Sequence, residues 1–318
     1  MNDKTPYDLT GKRVWVTGHT GMVGSALVRR LAGTDCTVLT ADRSTLDLTR
    51  QAAVEAWVRE NKPDVVLMAA AKVGGITANR DYPADFAYIN QAIQSNVIAA
   101  SHRQGVEKLV FLGSACMYPR DAAQPLSEDQ LMTGPLEPTN EAYGIAKLAG
   151  MQLCQSYRRQ HGDDYITVLP TNSYGPGDNY DLATCHVPAA LMVKCHQAKL
   201  SGAEAVEIWG SGAPTRDFLH VDDMADAIIT LLENYSDLAP VNISSGCEIS
   251  IMELAEAAKS AVGFKGGFDF DASKPDGAPR KVLDPSKLAL MGWRPKHSLQ
   301  SGMKHAYDSY LEKGAGLG

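Results

Sequence analysis

The sequence contains no long apolar run. Hydrophobic residues make up 44% of its 318 positions, but polar or charged residues interrupt every apolar stretch before it could span a bilayer. Residues 1–6 also lack the apolar core of a secretory leader. We therefore expect no membrane partner, no leader peptide and a cytoplasmic location.

An excess of positive charge is also missing. Lysine and arginine total 30 against 37 aspartates and glutamates, which gives a formal net charge of −7. Proteins that bind nucleic acid or anionic membrane surfaces usually carry a basic excess. We therefore expect no nucleic-acid partner, although this balance is compatible with a local basic pocket for a phosphorylated small molecule.

Paired cysteines are absent as well. The six cysteines are scattered, with no CxxC pair and no spacing to histidine that is typical of a metal site. This usage predicts reduced thiols, no disulfide and no bound metal. Cys116 therefore has another role, or it is a small buried apolar residue. It lies in "GSACMYP" (113–119), and Ser114 precedes it by two positions, which in an extended chain places both side chains on one side.

What the sequence does contain is a regular alternation of short apolar runs and longer helical patterns. The runs predict strands at 13–17, 36–40, 64–68, 108–113 and 165–171, and the intervening patterns predict helices at 22–33, 50–61, 84–104 and 141–161. Such an alternation predicts an α/β fold with a doubly wound parallel (Rossmann) sheet covered on both faces. We expect this domain to span 1–172. Strands at 206–208 and 241–244 should return to it, and the rest of 173–318 should form a smaller substrate lobe.

A glycine-rich segment follows the first predicted strand. "VTGHTGMVG" (16–24) places Gly18, Gly21 and Gly24 at a strand-to-helix turn, where backbone N–H groups can approach a pyrophosphate. The alternative is a tight turn with close helix packing. The position after a strand and before an amphipathic helix favours a dinucleotide cradle, to which Thr20, Met22 and Val23 also belong.

The end of the second predicted strand carries charges of both signs. An acid here would accept hydrogen bonds from the ribose of NAD, whereas an arginine would hold the extra phosphate of NADP. The chain has Asp42 followed by Arg43. We interpret Arg43 as the phosphate ligand and expect NADP(H) as the cofactor. The alternative is that either residue is simply a solvated charge in a loop.

A tyrosine and a lysine share one face of the fourth predicted helix. In "EAYGIAK" (141–147), Tyr143 and Lys147 are four positions apart. A lysine ammonium beside a tyrosine should lower the pKa of the phenol, which can then give its proton to a carbonyl oxygen. Ser114, at the end of the preceding strand, would donate a hydrogen bond to the same oxygen.

These motifs together resemble the extended short-chain dehydrogenase/reductase family. The resemblance covers nearly the whole chain and includes "FLHVDD" (218–223), whose aspartates otherwise indicate helix caps. It is most specific for a group that epimerises a GDP-4-keto-6-deoxyhexose at C3 and C5 and reduces C4 with NADPH. The motifs that carry it are "AAAKVGGI" (69–76), "PADF" (83–86), "EPTNEAYGIAK" (137–147), "PTNSYGPGDN" (170–179), "WGSG" (209–212) and "DASKPDGAPRK" (271–281).

The resemblance implies a role for each candidate residue. Cys116 and His186 would be the base and acid of epimerisation, and Ser114, Tyr143 and Lys147 would serve the reduction. Further cofactor contacts would come from Leu112, Gly113, Lys147, Pro170, Thr171, Asn172, Ser173 and His186. The GDP-sugar would be held by Lys194, Trp209, Arg216, Asp276 and Lys281. For three of these we also keep plainer interpretations: Trp209 as core packing, and Arg216 and Lys281 as surface charges.

The resemblance also implies an assembly. The predicted helices 84–104 and 141–161 are apolar on more than one face, and relatives pair them across a two-fold axis, so we expect a homodimer. The apolar positions are Ile89, Ile93, Val97, Leu148, Met151 and Leu153. Two other functions stay open: an NAD-dependent nucleotide-sugar 4-epimerase or dehydratase, and a non-catalytic dinucleotide sensor, which typically loses the tyrosine or lysine.

Overall fold

The computed structural model describes residues 6–182, 184–271, 273–274 and 276–312. The strands are β1 (Arg13–Thr17), β2 (Thr37–Leu39), β3 (Val65–Met68), β4 (Lys108–Leu112), β5 (Asp164–Pro170), β6 (Asn172–Tyr174), β7 (Ala205–Trp209), β8 (Thr215–His220), β9 (Val241–Ile243), β10 (Glu248–Ser250), β11 (Gly267–Asp271) and β12 (Arg280–Lys281). The α-helices are α1 (Met22–Leu31), α2 (Gln51–Asn61), α3 (Ile76–Asp81), α4 (Pro83–Arg103), α5 (Glu141–His161), α6 (Val187–Ser201), α7 (Val221–Asn234), α8 (Ile251–Val262), α9 (Ser286–Leu290) and α10 (Leu299–Glu312).

A parallel sheet forms the centre of the fold. Within the described residues it has six strands in the order β2-β1-β3-β4-β5-β9. The chain begins inside the sheet at β1, adds β2 on one side, and then crosses over to add β3 on the other. This reversal is the switch point of a doubly wound fold, and the predicted fold class is confirmed.

Side chains of the sheet alternate between two buried layers. On β1, Val14 and Val16 face a core shared with α1 and α7, while Trp15 faces a core shared with α2, α4 and α5. All three side chains are at most 1% exposed. Helices on both faces explain why the strands are continuously apolar rather than alternately polar.

The smaller lobe is built on a separate core, and one sequence prediction about it is wrong. The strand predicted at 206–208 does not return to the central sheet; it is part of β7, which among the described residues pairs with β11 in a sheet of two strands. Its residues alternate, with Val206 and Ile208 facing the core of α6, α8 and α10. That period-two pattern suits a sheet covered on one face. The prediction for the other segment is confirmed, because β9 is buried throughout and pairs with β5.

Two expectations about composition can be compared with this fold. None of the helices in the described ranges is long and apolar enough to cross a membrane. All six cysteines are free thiols, and none of them forms a disulfide.

Candidate active site

The glycine loop between β1 and α1 is packed so closely that side chains are excluded. Gly18 has a positive φ of 68°, and a Cβ added to it would lie 2.8 Å from the Cα of Ala70. A Cβ on Gly24 would lie 2.0 Å from the carbonyl oxygen of Gly18. Gly21 donates its N–H to that same oxygen at 3.0 Å and directly precedes α1. The loop thus presents open backbone at a helix N-terminus, as a pyrophosphate requires.

The side chains around this loop complete the cradle. Thr20 is exposed, and Met22 and Val23 are half-buried in the first turn of α1. His19 is the residue that sequence analysis missed: its Nδ1 is buried and has no hydrogen-bond partner among the described residues. A buried, unpartnered ring nitrogen beside an open glycine loop fits a site shaped for a polar ligand such as a dinucleotide.

Two charged residues lie at the end of β2. Asp42 and Arg43 are both exposed and begin a turn in which the Asp42 carbonyl accepts hydrogen bonds from the N–H groups of Thr45 and Leu46. The carboxylate of Asp42 lies 3.4 Å from His19 Nε2. The glycine loop and the β2 turn are therefore joined at the edge where a dinucleotide fold receives the adenosine ribose.

Ser114 and Cys116 lie in a short 3-10 turn, not in an extended strand. The turn spans Ala115–Met117, and the Ser114 hydroxyl caps it by accepting from the Cys116 N–H at 3.1 Å. The expectation that the two side chains share a strand face is therefore wrong, because β4 ends at Leu112. A Cβ on Gly144 would lie 2.6 Å from the Cys116 carbonyl oxygen, so α5 holds this turn in close contact.

Asn140 is a second residue that sequence reasoning missed. It occupies the N-cap position of α5 but makes no side-chain cap hydrogen bond. Its Nδ2 instead donates to Cys116 Sγ at 3.2 Å. An N–H donor stabilises negative charge on sulfur, so this arrangement suits a thiol that acts as a base. An asparagine just before the predicted helix offered a cap signal, and only the fold shows that it contacts the thiol instead.

Tyr143 faces Ser114 and Cys116 from the first turns of α5. Burial raises the pKa of the Tyr143 phenol, the nearby Cys116 raises it further, and a hydrogen bond with Ser114 partly offsets both. The pKa of Tyr143 is therefore raised in this structure, and the lowering that was expected from Lys147 is not seen. The reason is geometric: Lys147 Nζ lies 5.9 Å from the centroid of the Tyr143 ring and donates its hydrogen bond elsewhere.

Lys147 is buried beneath the site. Its ammonium donates to the Leu112 carbonyl oxygen at 2.8 Å and lies 5.0 Å from the centroid of the Phe111 ring. Burial lowers the pKa of Lys147 to about 8. Lys147 therefore remains mostly an ammonium at pH 7, and a pKa shifted this far by burial makes it a candidate for a functional role.

The ends of β4 and β5 form the floor beside these residues. Gly113 donates its N–H to the Val168 carbonyl oxygen at 2.8 Å, and a Cβ added to it would clash with Leu169. Pro170 ends β5, and Thr171 is fixed by hydrogen bonds to the carbonyl oxygens of Ile243 and Asp217. Asn172 and Ser173 then begin β6, so the predicted cofactor residues from Leu112 to Gly113 and from Pro170 to Ser173 lie at the carboxyl ends of β4 and β5.

His186 lies at the N-terminus of α6. It is the N-cap residue, its side chain is exposed, and it makes no cap hydrogen bond; Pro188 follows in the first turn, as predicted. The surrounding protein nevertheless lowers the pKa of the imidazole by desolvation. No hydrogen bond joins His186 to Cys116 within the described chain. The neighbouring carbonyl of Cys185 lies 3.9 Å from the position of a Cβ on Gly75, which places this segment beside the loop after β3.

The predicted substrate residues meet on the face of the smaller lobe. Trp209 is 63% exposed, so its interpretation as core packing is wrong. The ammonium groups of Lys194 and Lys274 lie 6.0 Å and 5.5 Å from its ring centroid. Lys194 also donates to the Glu207 carbonyl oxygen at 3.0 Å. Lys274 was not singled out from the sequence, although it stands within "DASKPDGAPRK".

The remaining three substrate candidates lie where β8 meets the 276–281 segment. Arg216 donates to the Ala278 carbonyl oxygen at 2.7 Å, and burial lowers the pKa of its guanidinium. Lys281 on β12 pairs in register with Arg216. Asp276 accepts from both the N–H and the hydroxyl of Ser211, at 2.6 Å and 2.8 Å. Arg216 is therefore built into the lobe rather than being a free surface charge, and Asp276 anchors the loop.

Comparisons with known proteins agree with this arrangement. The model of the NAD dependent epimerase/dehydratase family matches residues 14–244. A GDP-L-fucose synthase of Sinorhizobium fredii is 56% identical over 96% of this chain and 97% of its own, and one of Escherichia coli is 47% identical over 96% and 98%. A solved GDP-L-fucose synthetase from Naegleria fowleri bound to NADP has a TM-score of 0.90 at 27% identity and covers 98% of both chains. The chain belongs to the NAD dependent epimerase/dehydratase family, and within it to the GDP-L-fucose synthases.

Proposed function

We propose that this chain makes GDP-L-fucose from GDP-4-keto-6-deoxy-D-mannose, by inverting C3 and C5 and then reducing the C4 ketone with NADPH. The observation that carries the proposal is the cluster of Ser114, Cys116 and Tyr143, in which a thiol lies beside the two hydroxyls that can bind one carbonyl oxygen. A dehydrogenase needs only the hydroxyls. The thiol adds a base next to the carbons adjacent to that carbonyl.

Epimerisation uses the acidity that the ketone gives to its neighbours. Cys116 removes the proton from C3 or C5, and the charge that develops on the C4 oxygen is stabilised by hydrogen bonds from Ser114 and Tyr143. Asn140 holds the sulfur in position by its 3.2 Å hydrogen bond. His186, from the other lobe, returns a proton to the opposite face of the same carbon, which inverts it.

Reduction uses the same carbonyl pocket. Bound NADPH would supply the hydride for C4. Tyr143 gives its phenolic proton to the C4 oxygen, and its raised pKa keeps the phenol protonated until then. The ammonium of Lys147, oriented by the Leu112 carbonyl oxygen, stabilises the phenolate that remains.

Binding of the two partners follows from the positions of the remaining candidates. The glycine loop and Arg43 would hold the phosphates of NADP(H), and the ends of β4 and β5 would line its nicotinamide end. The GDP-sugar would lie across the lobe face, held by Lys194, Trp209, Arg216, Asp276 and Lys281. Cations next to an exposed indole suit a diphosphate joined to an aromatic base.

The decisive experiment supplies purified protein with GDP-4-keto-6-deoxymannose and NADPH and identifies the product by NMR. GDP-L-fucose with one NADPH oxidised per product would support the proposal. A changed sugar without NADPH consumption would indicate the NAD-dependent 4-epimerase or dehydratase instead. Cofactor binding with no sugar product at all would indicate a dinucleotide sensor.

We further propose that the chain forms a homodimer through α4 and α5. Val97 and Met151 are buried within the protomer, but Tyr88 and Ile145 are 69% and 49% exposed on the outer surface of the two helices. Exposed large apolar side chains on adjacent helices support an interface formed around a two-fold axis. Light scattering at micromolar concentration should give twice the monomer mass, and a monomer would contradict this proposal.

A cytoplasmic location belongs to the same proposal. The six free thiols include Cys247, which is exposed, and Cys116, which must stay reduced to act as a base. A reducing compartment keeps such thiols free. Fractionation of cells that produce the protein tests this location directly.

A further inference from the structure

His19 and Asp42 form a contact that the proposed reaction does not use. His19 Nε2 lies 3.4 Å from Asp42 Oδ1, with the imidazole 21% exposed and the carboxylate 63% exposed. The other ring nitrogen of His19, Nδ1, is buried and has no partner in the described part of the chain. One nitrogen thus faces the carboxylate, and the other is left for a group that the protein itself does not provide.

The backbone fixes the positions of both residues. A Cβ on Gly24 would lie 2.8 Å from the Cα of His19, so α1 packs directly against it. The preceding Gly18 is held against Ala70 in the same way. Asp42 is fixed because its carbonyl accepts from two N–H groups of its own turn. The main chain thus holds the two residues where their side chains are within reach of each other.

Without His19, the two charged residues after β2 would have opposite effects on the binding of a 2′-phosphate. In dinucleotide-binding folds an acid at the end of the second strand favours NAD, because its carboxylate accepts from the ribose hydroxyls and repels a 2′-phosphate. Asp42 would therefore repel the 2′-phosphate that Arg43 attracts. His19 lies against this carboxylate, and an N–H on Nε2 directed at Asp42 would occupy the oxygen that otherwise opposes the phosphate.

We propose that His19 is a specificity-determining residue, which pairs with Asp42 and so allows a chain with an NAD-type acid to bind the 2′-phosphorylated cofactor in preference to NADH. This inference rests on the proposed function only in taking NADP(H) as the cofactor. It assigns the choice between the two cofactors to three residues acting together: His19, Asp42 and Arg43.

The test measures equilibrium binding of NADPH and of NADH to the full-length protein by calorimetry, with no sugar present. His19→Asn should raise the Kd for NADPH about tenfold and leave the Kd for NADH within about twofold, the size expected when one charge-assisted contact is lost. The double variant His19→Asn/Asp42→Asn should bind NADPH within about threefold of the wild type, because no carboxylate is left to oppose the phosphate. Asp35→Asn, which removes an exposed carboxylate just before β2 at its other end, is the matched charge control and should change neither Kd.

Two results would overturn the inference. Equal weakening of NADPH and NADH by His19→Asn would make His19 a structural part of the loop. A double variant that binds NADPH as weakly as His19→Asn would show that His19 does not act through Asp42. Should His19→Asn fail to fold, Asp42→Asn tests the same pair, and it must tighten NADPH relative to NADH. Absence of binding of either cofactor to the wild type would instead contradict the proposed function.

Discussion

Two helices of this protein begin with the same two residues and use them differently. His186-Val187 begins α6 and His220-Val221 begins α7, and in both helices the histidine is the N-cap residue. His186 is exposed and its side chain caps nothing. His220 is 1% exposed, and its Nδ1 accepts from the N–H of Asp222 at 3.2 Å. A histidine at a helix N-terminus is available for chemistry only where the helix does not use it.

The residue two positions later explains the difference. In α7 that residue is Asp222, whose N–H binds the ring of His220. In α6 it is Pro188, which has no N–H to donate. The proline therefore does two things: it begins the helix at an unstrained φ, and it removes for His186 the donor that the corresponding position of α7 gives to His220.

The surroundings increase the contrast. His220 stacks on His297 with ring centroids 4.0 Å apart and on His305 at 5.1 Å. Asp223 in turn contacts His297 Nδ1 at 3.0 Å. These contacts join the start of α7 to the chain before α10 and to α10 itself. His220 is therefore part of the structure between the two lobes, whereas His186 belongs to the proposed active site.

The largest effect that separates the two histidines should come from His186→Asn. Loss of the proton donor should slow the inverting exchange, in which deuterium from D2O enters C3 and C5 on the face opposite the departing proton, by a factor of about 10² or more. Asparagine is a good N-cap residue, so the melting temperature should change little. NMR of the recovered sugar measures the exchange, and circular dichroism confirms the fold. Exchange within about threefold of the wild type would remove His186 from the mechanism.

The matched substitution His220→Asn should affect stability and leave exchange unchanged. Burial, and then the charge of His297, lower the folded-state pKa of His220 to about 4, partly opposed by Asp222. The ordinary pKa of histidine is about 6.5, so the unfolded chain binds this proton more readily. Stability from the neutral ring is thus complete above pH 6.5 and is lost as the pH falls toward 4, by at most about 3 kcal/mol.

Urea unfolding at pH 7 and pH 4.5 measures this difference. The wild type should lose more stability between the two values than His220→Asn does, because asparagine cannot take up the proton. His186→Asn serves as the control, since it places the same residue at the same helix position. Equal losses in all three proteins would show that the stacked ring at 220 does not titrate as the structure indicates.

The same comparison shows what the sequence could reveal. The pattern "FLHVDD" was assigned to the resemblance, with aspartate helix caps as the alternative, and that alternative is not what the structure shows: His220 is the cap, and Asp222 and Asp223 lie in the first turn. Aspartate is the better cap by preference alone. Here a buried ring that reaches the Asp222 N–H displaces it, and burial by residues distant in the sequence is not visible in a local pattern.

The central sheet was the more predictable part of the molecule. β1 has the bounds that its apolar run indicated, because burial on both faces leaves a continuous apolar stretch. The lobe strand at 206–208 was assigned to the wrong sheet, since an alternating strand does not indicate its partner. In the site, the spacing of Tyr143 and Lys147 was visible within one helix. The contact of Asn140 with the Cys116 thiol joins two loops and needed the fold.

The smallest and most specific effect should come from Pro188→Ala. Alanine restores an N–H two residues after His186, where the corresponding N–H of Asp222 binds His220. A hydrogen bond worth about 1 kcal/mol would hold the imidazole away from the substrate in most molecules and slow C3 and C5 exchange about fivefold.

Pro83→Ala, the same change in the first turn of α4, controls for the general effect of losing a proline and should leave exchange unchanged. The 15N shifts of the His186 ring should change in Pro188→Ala and show Nδ1 as a hydrogen-bond acceptor. If the exchange rate and the ring shifts both match the wild type, the missing N–H does not explain the difference between the two helices, and the exposure of His186 alone would have to account for its availability.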